Sequence, residues 1–458
     1  MDTNYNNKSS FDRFGDDLAE LILRYLSLED QLRLECVSKQ FQSSGIQLRT
    51  HIIVDYYLNQ KLIVKTFSIR GYFDTENWSS LMKRSPNVCT ICIDTIISGH
   101  REIQFIKAIH RFRTHWPLLR QIDCMFDNYK DKDIEFLCKT FPKMINKMII
   151  VKYNQMDIIK PYLSSMTTIR ELSPICQIDD MFIGDQLVVK GLHRLDIYHL
   201  VNTWTRDHLI RLKTFIDGNS YLKHLKLHFS SMDYTTSVAM VSFMGRFEKL
   251  EQLEIIFDFR NCYSIANSLV IIANSCRLLK SLKLELKVDR FATYMDIYNA
   301  IKLMKHLKRL DLKVFYIKKN NYKFNDDLID PTVYASLKPI NCWPQLTHLT
   351  FNLSHYDRQF FMNLDRNLPK LQYLYIDDRF GVIDVICLSF ISRLISLMTL
   401  TINTINYKSI NKSDVDQVIN GCLKLKSIKI NAIPYSLSRR VYYNENSIYL
   451  MREQLKGL

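Results

Sequence analysis

Glycine is scarce in this chain, with 11 residues in 458. They are too scattered to form G-x-G-x-x-G or G-x-x-x-x-G-K-[ST], the loops whose backbone amides approach phosphates where no Cβ is in the way. The two common nucleotide-binding loops are therefore excluded. The 12 histidines contain no H-E-x-x-H motif, so the usual zinc-protease helix is also lacking. Most common enzyme signatures are thus absent.

Long hydrophobic runs are lacking as well. The N-terminus, MDTNYNNKSSFDRFGDD, is polar and has no apolar core of a signal peptide. The longest apolar runs, such as 269–273 and 148–151, are far too short to cross a bilayer. We therefore expect no membrane partner and a location in the cytoplasm, the nucleus or both, where the 11 dispersed cysteines stay reduced.

One C-x-x-C pair, Cys89 and Cys92, has the spacing of a metal or redox motif. Zinc sites usually supply a second pair at a regular distance, and none follows. A redox pair prefers a helix N-terminus, whereas the flanking Val88, Ile91 and Ile93 are typical of a strand. We interpret both residues as core or near-core cysteines, and we predict no metal site and no cofactor.

The charge is strongly positive but spread along the chain. Lys and Arg total 62 and Asp and Glu 47, a net charge of +15, while hydrophobic residues at 47% are enough for a large core. This balance suits nucleic acid, an acidic membrane or an acidic protein. No dense basic tract favours one of them.

A pattern of the form apolar-x-x-apolar-x-apolar recurs after residue 87. Its clear copies, each given by its first residue, start at Leu192, Leu222, Leu250, Leu279, Leu307, Leu346, Leu371, Leu397 and Leu425. Weaker copies start at Val88, Leu119 and Ile145, and a broken copy starts at Ile169, where Pro174 takes the third apolar place. Most starts lie 23 to 31 residues apart, which is the leucine-rich-repeat period.

The spacing of this pattern predicts a strand followed by a return. Its last two apolar positions are two residues apart and so share one face of a strand. Segment 234–249, with Val238, Val241, Met244 and Phe247 at helical spacing, fits a connecting helix. Stacked units of this kind share one core. The longer interval after Leu307 holds an Asn-, Lys- and Asp-rich stretch, 318–330, which we interpret as a rim loop.

Residues 14–41 have a different character. Leu18, Ile22, Tyr25 and Leu26 form one helical stripe, and Ser27 with Asp30 resembles the capping box of a second helix. The apolar stripe of that helix contains Leu32, Cys36 and Val37. Two or three short helices cannot bury all their apolar side chains among themselves. We therefore infer that a partner or a neighbouring domain covers the rest.

This segment resembles an F-box, whose pattern is Leu-Pro-x-Glu-Leu, Ile-Leu-x-Tyr-Leu, Asp-Leu and Val-Ser-Arg-x-Trp. The chain has Phe14-Gly15-Asp16-Asp17-Leu18, Ile22-Leu23-Arg24-Tyr25-Leu26, Asp30 with Leu32, and Val37-Ser38-Lys39-Gln40-Phe41. It departs from the pattern at Gly15, Gln31 and Phe41. Gly15 lacks the fixed φ of proline, which leaves the docking tip less pre-organised.

With the repeats that follow, the chain resembles the F-box/leucine-rich-repeat proteins. The resemblance implies an α/β fold: a small all-α F-box in residues 1–50, a linker leading into the array in 51–87, and a leucine-rich-repeat solenoid in 88–458. The solenoid would be a horseshoe of about 12–13 repeats with parallel strands on its concave side and helices outside. Residues 1–50 carry 6 Lys or Arg and 8 Asp or Glu, so the basic surplus belongs to the remainder.

The resemblance further implies a substrate-recognition subunit of a Skp–cullin–F-box ubiquitin ligase, without catalytic residues of its own. The F-box would bind the Skp adaptor, and through it a cullin-RING ligase, while the repeats bind a protein substrate. One alternative is an interaction scaffold whose F-box is degenerate and has no ligase role. A nucleic-acid-binding solenoid is a third hypothesis, which acidic residues interleaved on the strand face disfavour.

These expectations give two sets of candidate residues. Adaptor binding is predicted for Phe14, Leu18, Ile22, Tyr25, Leu26, Leu32, Val37 and Phe41. Substrate binding is predicted for residues of the concave face: His224, Lys226, His228, Lys283, Arg309, Lys313, Tyr373 and Tyr375. The basic members favour an acidic or phosphorylated segment. His224 and His228 lack a third ligand for a metal.

Overall fold

The computed structural model places the described residues in two compact units, unit 1 (residues 1–192) and unit 2 (193–458). Both combine helices with parallel strands, so the predicted α/β class is confirmed. The described residues are 16–25, 34, 41, 51–55, 66–69, 83, 88–94, 114–126, 131–150, 154–175, 178–200, 206–229, 241–257, 265–288, 291–316, 343–352, 361–378, 381–405, 410–432 and 447–451.

The first described element of unit 1 is helix α1, Asp16–Tyr25, and the described parallel strands lie in the spatial order β2-β1-β3-β4-β5-β6. The strands are β1 His51–Asp55, β2 Thr66–Ile69, β3 Thr90–Asp94, β4 Gln121–Phe126, β5 Ile145–Ile150 and β6 Glu171–Ile175. Further helices with described bounds are α2 Asp131–Thr140 and α3 Asn154–Ile159, with 3-10 turns at Lys160–Ser165 and Ile178–Met181. A hairpin joins β7 Phe182–Ile183 to β8 Gln186–Leu187 through Gly184, whose φ of +59° favours glycine.

Two interpretations of the sequence in unit 1, the linker and the broken copy of the pattern, can be compared with the structure. The segment predicted as a linker contributes β1 and β2, which pair parallel with each other, and β1 also pairs with β3. The broken copy of the pattern forms β6, with Ile169 and Leu172 buried. Its pairing with β5 ends at Ser173, immediately before Pro174, which has no N–H to donate to the ladder.

Unit 2 is a run of strands that lie side by side in chain order. Strands β9 to β17 are parallel, and β18 closes the series antiparallel to β17. The strands are β9 Arg194–Leu200, β10 His224–Phe229, β11 Gln252–Phe257, β12 Ser281–Val288, β13 Arg309–Tyr316, β14 His348–Asn352, β15 Tyr373–Asp378, β16 Thr399–Thr404, β17 Ser427–Ala432 and β18 Ser447–Met451.

Helices return the chain between most of the strands whose connections are described. Those with stated bounds are α4 Arg206–Gly218, α5 Ile265–Ser275, α6 Phe291–Lys302, α7 Leu364–Asn367, α8 Val385–Ile391 and α9 Lys412–Gly421. Local chemistry starts two of them. Asn411 and Asp414 cap α9 reciprocally, each side chain accepting from the other's backbone N–H at 3.1 and 3.0 Å. Asp384 accepts from the N–H of Cys387 at the start of α8.

The register of the parallel strands brings equivalent positions of the sequence pattern opposite one another. Leu225 lies opposite Leu253, which lies opposite Leu282, which lies opposite Leu310. All four side chains are buried. The row continues through Leu349, Leu374, Leu400 and Ile428. The core of unit 2 therefore forms between this inner strand face and the apolar sides of the helices.

Each of these strands is preceded by the same tight turn. The N–H of the first leucine of a copy donates to the carbonyl oxygen three residues earlier, as in Leu279 to Cys276 at 3.0 Å and Leu425 to Cys422 at 2.9 Å. The residue at that earlier position is buried in both cases. The pattern thus has a fourth core position, three residues before its first leucine.

Cysteine at this fourth position links its turn to the helical segment of the preceding copy. The Sγ of Cys276 donates to the carbonyl oxygen of Met244 at 3.5 Å, and the Sγ of Cys422 donates to that of Ile391 at 3.3 Å. Burial raises the pKa of both thiols to about 12. They act as small core side chains that also satisfy a carbonyl of the preceding segment.

Of the two predicted connections between strands, the structure describes part of the first, segment 234–249. In segment 234–249, residues 241–243 are helical and a 3-10 turn follows at Met244–Arg246, with Val241, Met244 and Phe247 buried. Val238 lies outside the described residues, and so does the predicted rim loop 318–330.

Replacing Leu282 by Ala is expected to lower the free energy of unfolding by about 2–5 kcal/mol, because its side chain is fully buried and truncation leaves a cavity. Chemical denaturation followed by circular dichroism measures this. The matched control is Leu278→Ala, since Leu278 is 46% exposed and should change stability by less than about 0.5 kcal/mol. Equal stability of the two variants would show that the strand frame is wrong.

Candidate functional site

The polar strand face is the side of strands β10 to β17 that faces away from the buried core of unit 2. We define it by the first, third and fifth residue of each strand, which alternate with the buried apolar residues. Two of its members, Asn352 and Asp377, are themselves buried. Parallel pairing aligns these residues in three rows across the sheet. The first row runs from His224 to Ser427, the second from Lys226 to Lys429 and the third from His228 to Asn431.

All the predicted substrate-binding residues lie on this face, but in two separate groups. The first group is on β10, β12 and β13, and the second, Tyr373 and Tyr375, is on β15. Strand β14 separates them, and β10 is five strand spacings from β15, roughly 24 Å. Among the predicted residues Arg309 is exposed, while the rest are half-buried.

The second row contains an alternating charge ladder. Its residues are Asp196 of β9, Lys226, Glu254, Lys283 and Asp311, each opposite the next. Glu254 Oε1 lies 3.0 Å from Lys226 Nζ and 2.7 Å from Lys283 Nζ. Two of the cations predicted to bind substrate therefore share one carboxylate of the protein itself.

The pKa of Glu254 lies below its ordinary value. Burial alone would raise it, but the hydrogen bonds from Lys283 and Lys226 outweigh that effect. The third row repeats the pairing more loosely, with Lys313 Nζ 4.0 Å from Glu285 Oε2. Most cations of the first group are thus held by neighbouring carboxylates, which lowers their capacity to attract an acidic ligand.

Asp311, at the end of the charge ladder, has the opposite pKa shift. Burial raises the pKa of its carboxyl, although Lys313, Lys283 and Arg309 oppose this. Its Oδ1 is buried and has no hydrogen-bond partner among the described residues. The same holds for Nδ1 of His224.

Strands β14 to β17 present mostly uncharged hydrogen-bonding side chains instead, with Asp377 and Lys429 as the charged residues of the polar strand face there. His348 stacks on Tyr373 with ring centroids 5.8 Å apart, and its Nδ1 lies 2.9 Å from the hydroxyl of Thr347. Burial and the nearby Arg309 lower the pKa of His348, which favours the neutral imidazole. In the third row Asn431 donates to Asn403 at 2.6 Å, and Asn403 donates to the hydroxyl of Tyr375 at 2.6 Å.

The sequence places Glu254 and His348 on the strand face without showing their partners, and it does not single out Asn403 or Asn431. Aligning the same position of successive copies indicates the pairing of Glu254, because Asp196, Lys226, Glu254, Lys283 and Asp311 alternate in sign. No comparable pattern in the sequence marks the hydrogen-bonded pair Asn403 and Asn431. Over β10 to β17 the polar strand face carries five Lys or Arg against four Asp or Glu, so it is nearly neutral.

The predicted adaptor-binding residues are only partly described. Leu18 is 41% exposed, Ile22 is half-buried and Phe41 is buried. Tyr25 ends helix α1, and its side chain lies outside the described part of the structure. Phe14, Leu26, Leu32 and Val37 also lie outside the described residues.

The buried side of α1 differs from the predicted stripe. Ala19 and Leu23 are fully buried and form a cluster with Phe41, against which Ile22 and Leu34 pack. Leu18 and Leu21 point away from the cluster, at 41% and 48% exposure. Phe41 therefore has a core role, and α1 offers an apolar surface that includes a residue the pattern had not singled out.

Over the part of the chain that is described, no group of three or more His, Cys, Asp or Glu side chains is placed to hold a metal ion. Cys89 is half-buried beside strand β3, with its Sγ 3.9 Å from the hydroxyl of Thr90. The side chain of Cys92 is not described. None of the described helices has the length and apolar character needed to span a membrane.

Comparison with known proteins adds no family assignment. No protein-family model matches the sequence, and no curated protein matches it.

Glu254→Gln is expected to reduce the free energy of unfolding at pH 7 by about 1 kcal/mol, because it removes the charge that Lys226 and Lys283 share. A lowered pKa means that this stabilisation is present above the ordinary pKa of 4.5 and is lost as the pH falls through the lowered value. The difference between wild type and variant should therefore shrink below pH 4.5 in denaturation series at several pH values.

Asp311→Asn is the control for this prediction. Since its pKa is raised, the ionised carboxylate of Asp311 costs stability at neutral pH, and the amide should be neutral or stabilising. If both variants lose the same stability at pH 7, the two carboxylates do not have the different roles assigned to them.

Proposed function

We propose that the protein is a substrate-recognition subunit of a Skp–cullin–F-box ubiquitin ligase. Residues 1–50 would be the F-box that binds the Skp adaptor, and residues 88–458 a leucine-rich-repeat solenoid that binds a protein substrate. In this proposal the strands form the concave side of a horseshoe and the helices its outer side. Its location would be the cytoplasm, the nucleus or both.

The observation that carries the proposal is the surface of α1. The cluster of Ala19, Leu23 and Phe41 is buried within the described residues, whereas Leu18 and Leu21 are left exposed on the same helix. Two exposed leucines on one short helix form an apolar surface suited to a protein partner. Because they lie in the segment that resembles an F-box, the partner in this proposal is the Skp adaptor.

The array of parallel strands supports the second half of the proposal. Equivalent leucines of successive copies are opposite one another and buried, which is the arrangement a leucine-rich repeat requires. Such an array presents a row of side chains from many strands to one ligand. The side chains described on the polar strand face offer ion pairs, hydroxyls, amides and stacked rings, which are means of recognition.

The proposed contribution to ubiquitination is proximity. A receptor that holds the adaptor at one end and the substrate at the other raises the effective concentration of substrate lysines near the charged conjugating enzyme. The chemistry would belong to other subunits. No side chain of this chain is assigned a catalytic role.

Replacing Leu18 and Leu21 by Asp is expected to weaken adaptor binding at least about tenfold, because each buried leucine contributes on the order of 1 kcal/mol or more at an interface. The measurement is a pull-down of the purified Skp adaptor by the full chain, followed by titration. Thermal melting should show little change, since both side chains are exposed.

Two controls interpret this experiment. Ile210→Asp changes a side chain that is 56% exposed on helix α4 and should leave adaptor binding intact. Wild-type levels of adaptor in the Leu18 and Leu21 double variant would remove α1 from the interface. A wild-type chain that captures no adaptor would instead support the scaffold alternative.

A further inference from the structure

The turn edge of unit 2 is the row of five-residue turns immediately before strands β10 to β17. It is distinct from the polar strand face, which begins with the next residue of each copy. The turns comprise residues 219–223, 247–251, 276–280, 304–308, 343–347, 368–372, 394–398 and 422–426.

Backbone hydrogen bonds hold these turns in a regular row. The N–H of the last residue of each turn donates to the carbonyl oxygen of the equivalent residue in the turn before it. The series runs from Glu251 and Lys223 to Lys426 and Met398 with N···O distances of 2.7–2.8 Å. Side chains at equivalent positions are therefore held one strand spacing apart, roughly 4.8 Å.

The positive charge of unit 2 is concentrated on this edge. The turns hold nine Lys or Arg against two Glu, a net charge of +7, whereas the polar strand face has a net charge of +1 and the described helices α4 to α9 cancel to zero. All nine cations are exposed. They are Lys223, Lys249, Arg277, Lys280, Lys305, Lys308, Lys370, Lys424 and Lys426.

The same edge carries unusually exposed apolar side chains. Leu423 is 69% exposed, Tyr221 67% and Ile395 61%, and these are the three highest values among the described large apolar residues. Ile395 and Leu423 occupy the same position in consecutive turns, and Leu423 is followed directly by Lys424. Exposed apolar groups beside cations are typical of a protein-binding surface.

We propose that the turn edge, and not the polar strand face, binds an acidic protein segment that also carries apolar side chains. The segment would lie across the turns, with carboxylates at Arg277, Lys305 and Lys308 and apolar side chains at Ile395 and Leu423. Arg277 and Leu423 are separated by five strand spacings, roughly 24 Å, so an extended segment of about eight residues reaches both. Binding at the turn edge does not depend on the proposed function; that the bound segment would belong to a ubiquitination substrate does rest on it.

The surface favours a protein segment over a purely anionic ligand. Glu248 and Glu251 interrupt the cations, and Glu251 Oε2 lies 2.6 Å from Lys280 Nζ. A uniformly charged surface such as a bilayer of anionic lipid would meet these carboxylates as well. The two apolar side chains on adjacent turns suffice to anchor a peptide but bury too little area to insert into a membrane.

The test measures the full chain binding to a fluorescent synthetic peptide of repeating Glu-Asp-Leu-Glu, by anisotropy. The turn-edge variant, Arg277→Ala with Lys305→Ala and Lys308→Ala, should bind at least about tenfold more weakly, because three exposed ion pairs each contribute a few-fold. A matched variant on the helices, Lys213→Ala with Arg366→Ala and Lys412→Ala, should stay within about twofold. A third variant, Arg309→Ala with Lys313→Ala and Lys429→Ala, removes three cations of the polar strand face.

The apolar contribution is tested with a second peptide in which Ser replaces each Leu. It should bind the wild-type chain several-fold more weakly, and Ile395→Ser with Leu423→Ser should abolish that difference. The control pair, Ile210→Ser with Ile271→Ser, lies on helices α4 and α5 at 56% and 43% exposure and should preserve it.

Four outcomes would overturn the proposal: failure of the wild-type chain to bind the peptide, equal weakening by all three charge variants, loss confined to the polar-strand-face variant, or binding to phosphatidylserine vesicles without binding to the peptide. Adaptor capture is measured on the same samples. A turn-edge variant that loses the peptide and keeps the adaptor separates this inference from the proposed function. A chain that binds the peptide but no adaptor sinks only the latter.

Discussion

Pairing of parallel strands in strict register is the constraint on which the rest of unit 2 depends. Each strand places Leu or Ile opposite Leu or Ile of its neighbour, so one shared row of apolar side chains becomes the core. A slip of one residue would turn that row outward and bury the charged row. The register therefore determines at once which residues are buried, which form the polar strand face and which stand in the turns.

This constraint explains why charge is distributed so unevenly. On the polar strand face, equivalent residues of neighbouring strands are near enough for direct contact, and like charges there would repel. Lys226, Glu254 and Lys283 alternate in sign accordingly. In the turns the Lys and Arg side chains are exposed to solvent, where screening reduces repulsion, and cations accumulate without partners of opposite sign in equal number.

Much of this architecture follows from the sequence, because the pattern of apolar residues is local and repeats. It predicts the strand positions, the buried leucines and the residues of the polar strand face. The turn position occupied by Cys276 and Cys422 is buried in all eight turns before β10 to β17, which the apolar pattern alone does not predict. Pairings such as Lys283 with Glu254 escape a local reading because their partners are 29 residues apart. Their geometry appears only when copies separated by unequal intervals are set side by side.

Helix α1 shows a different limit. A stripe chosen by the largest apolar residues selects Leu18 and Ile22, whereas the fully buried positions are Ala19 and Leu23. A small residue such as Ala19 allows the aromatic ring of Phe41 to approach the helix, and the larger Leu18 is left outside. The hydrophobicity of a residue alone does not show whether its side chain is buried with Phe41 or exposed on the surface of α1.

The buried thiols make local opening of the strand array measurable by chemical labelling. With pKa values of about 12, Cys276 and Cys422 remain protonated in the closed protein, and a protonated, buried sulfur reacts only slowly with alkylating reagents. Each thiol donates a hydrogen bond to a carbonyl oxygen of the segment before it, so alkylation requires that neighbouring segments separate. Cys422 lies near the last parallel strand and Cys276 in the interior of the series. Because terminal segments of a stacked array have fewer neighbours, alkylation of Cys422 reports fraying of the end, and alkylation of Cys276 reports cooperative loss of the interior.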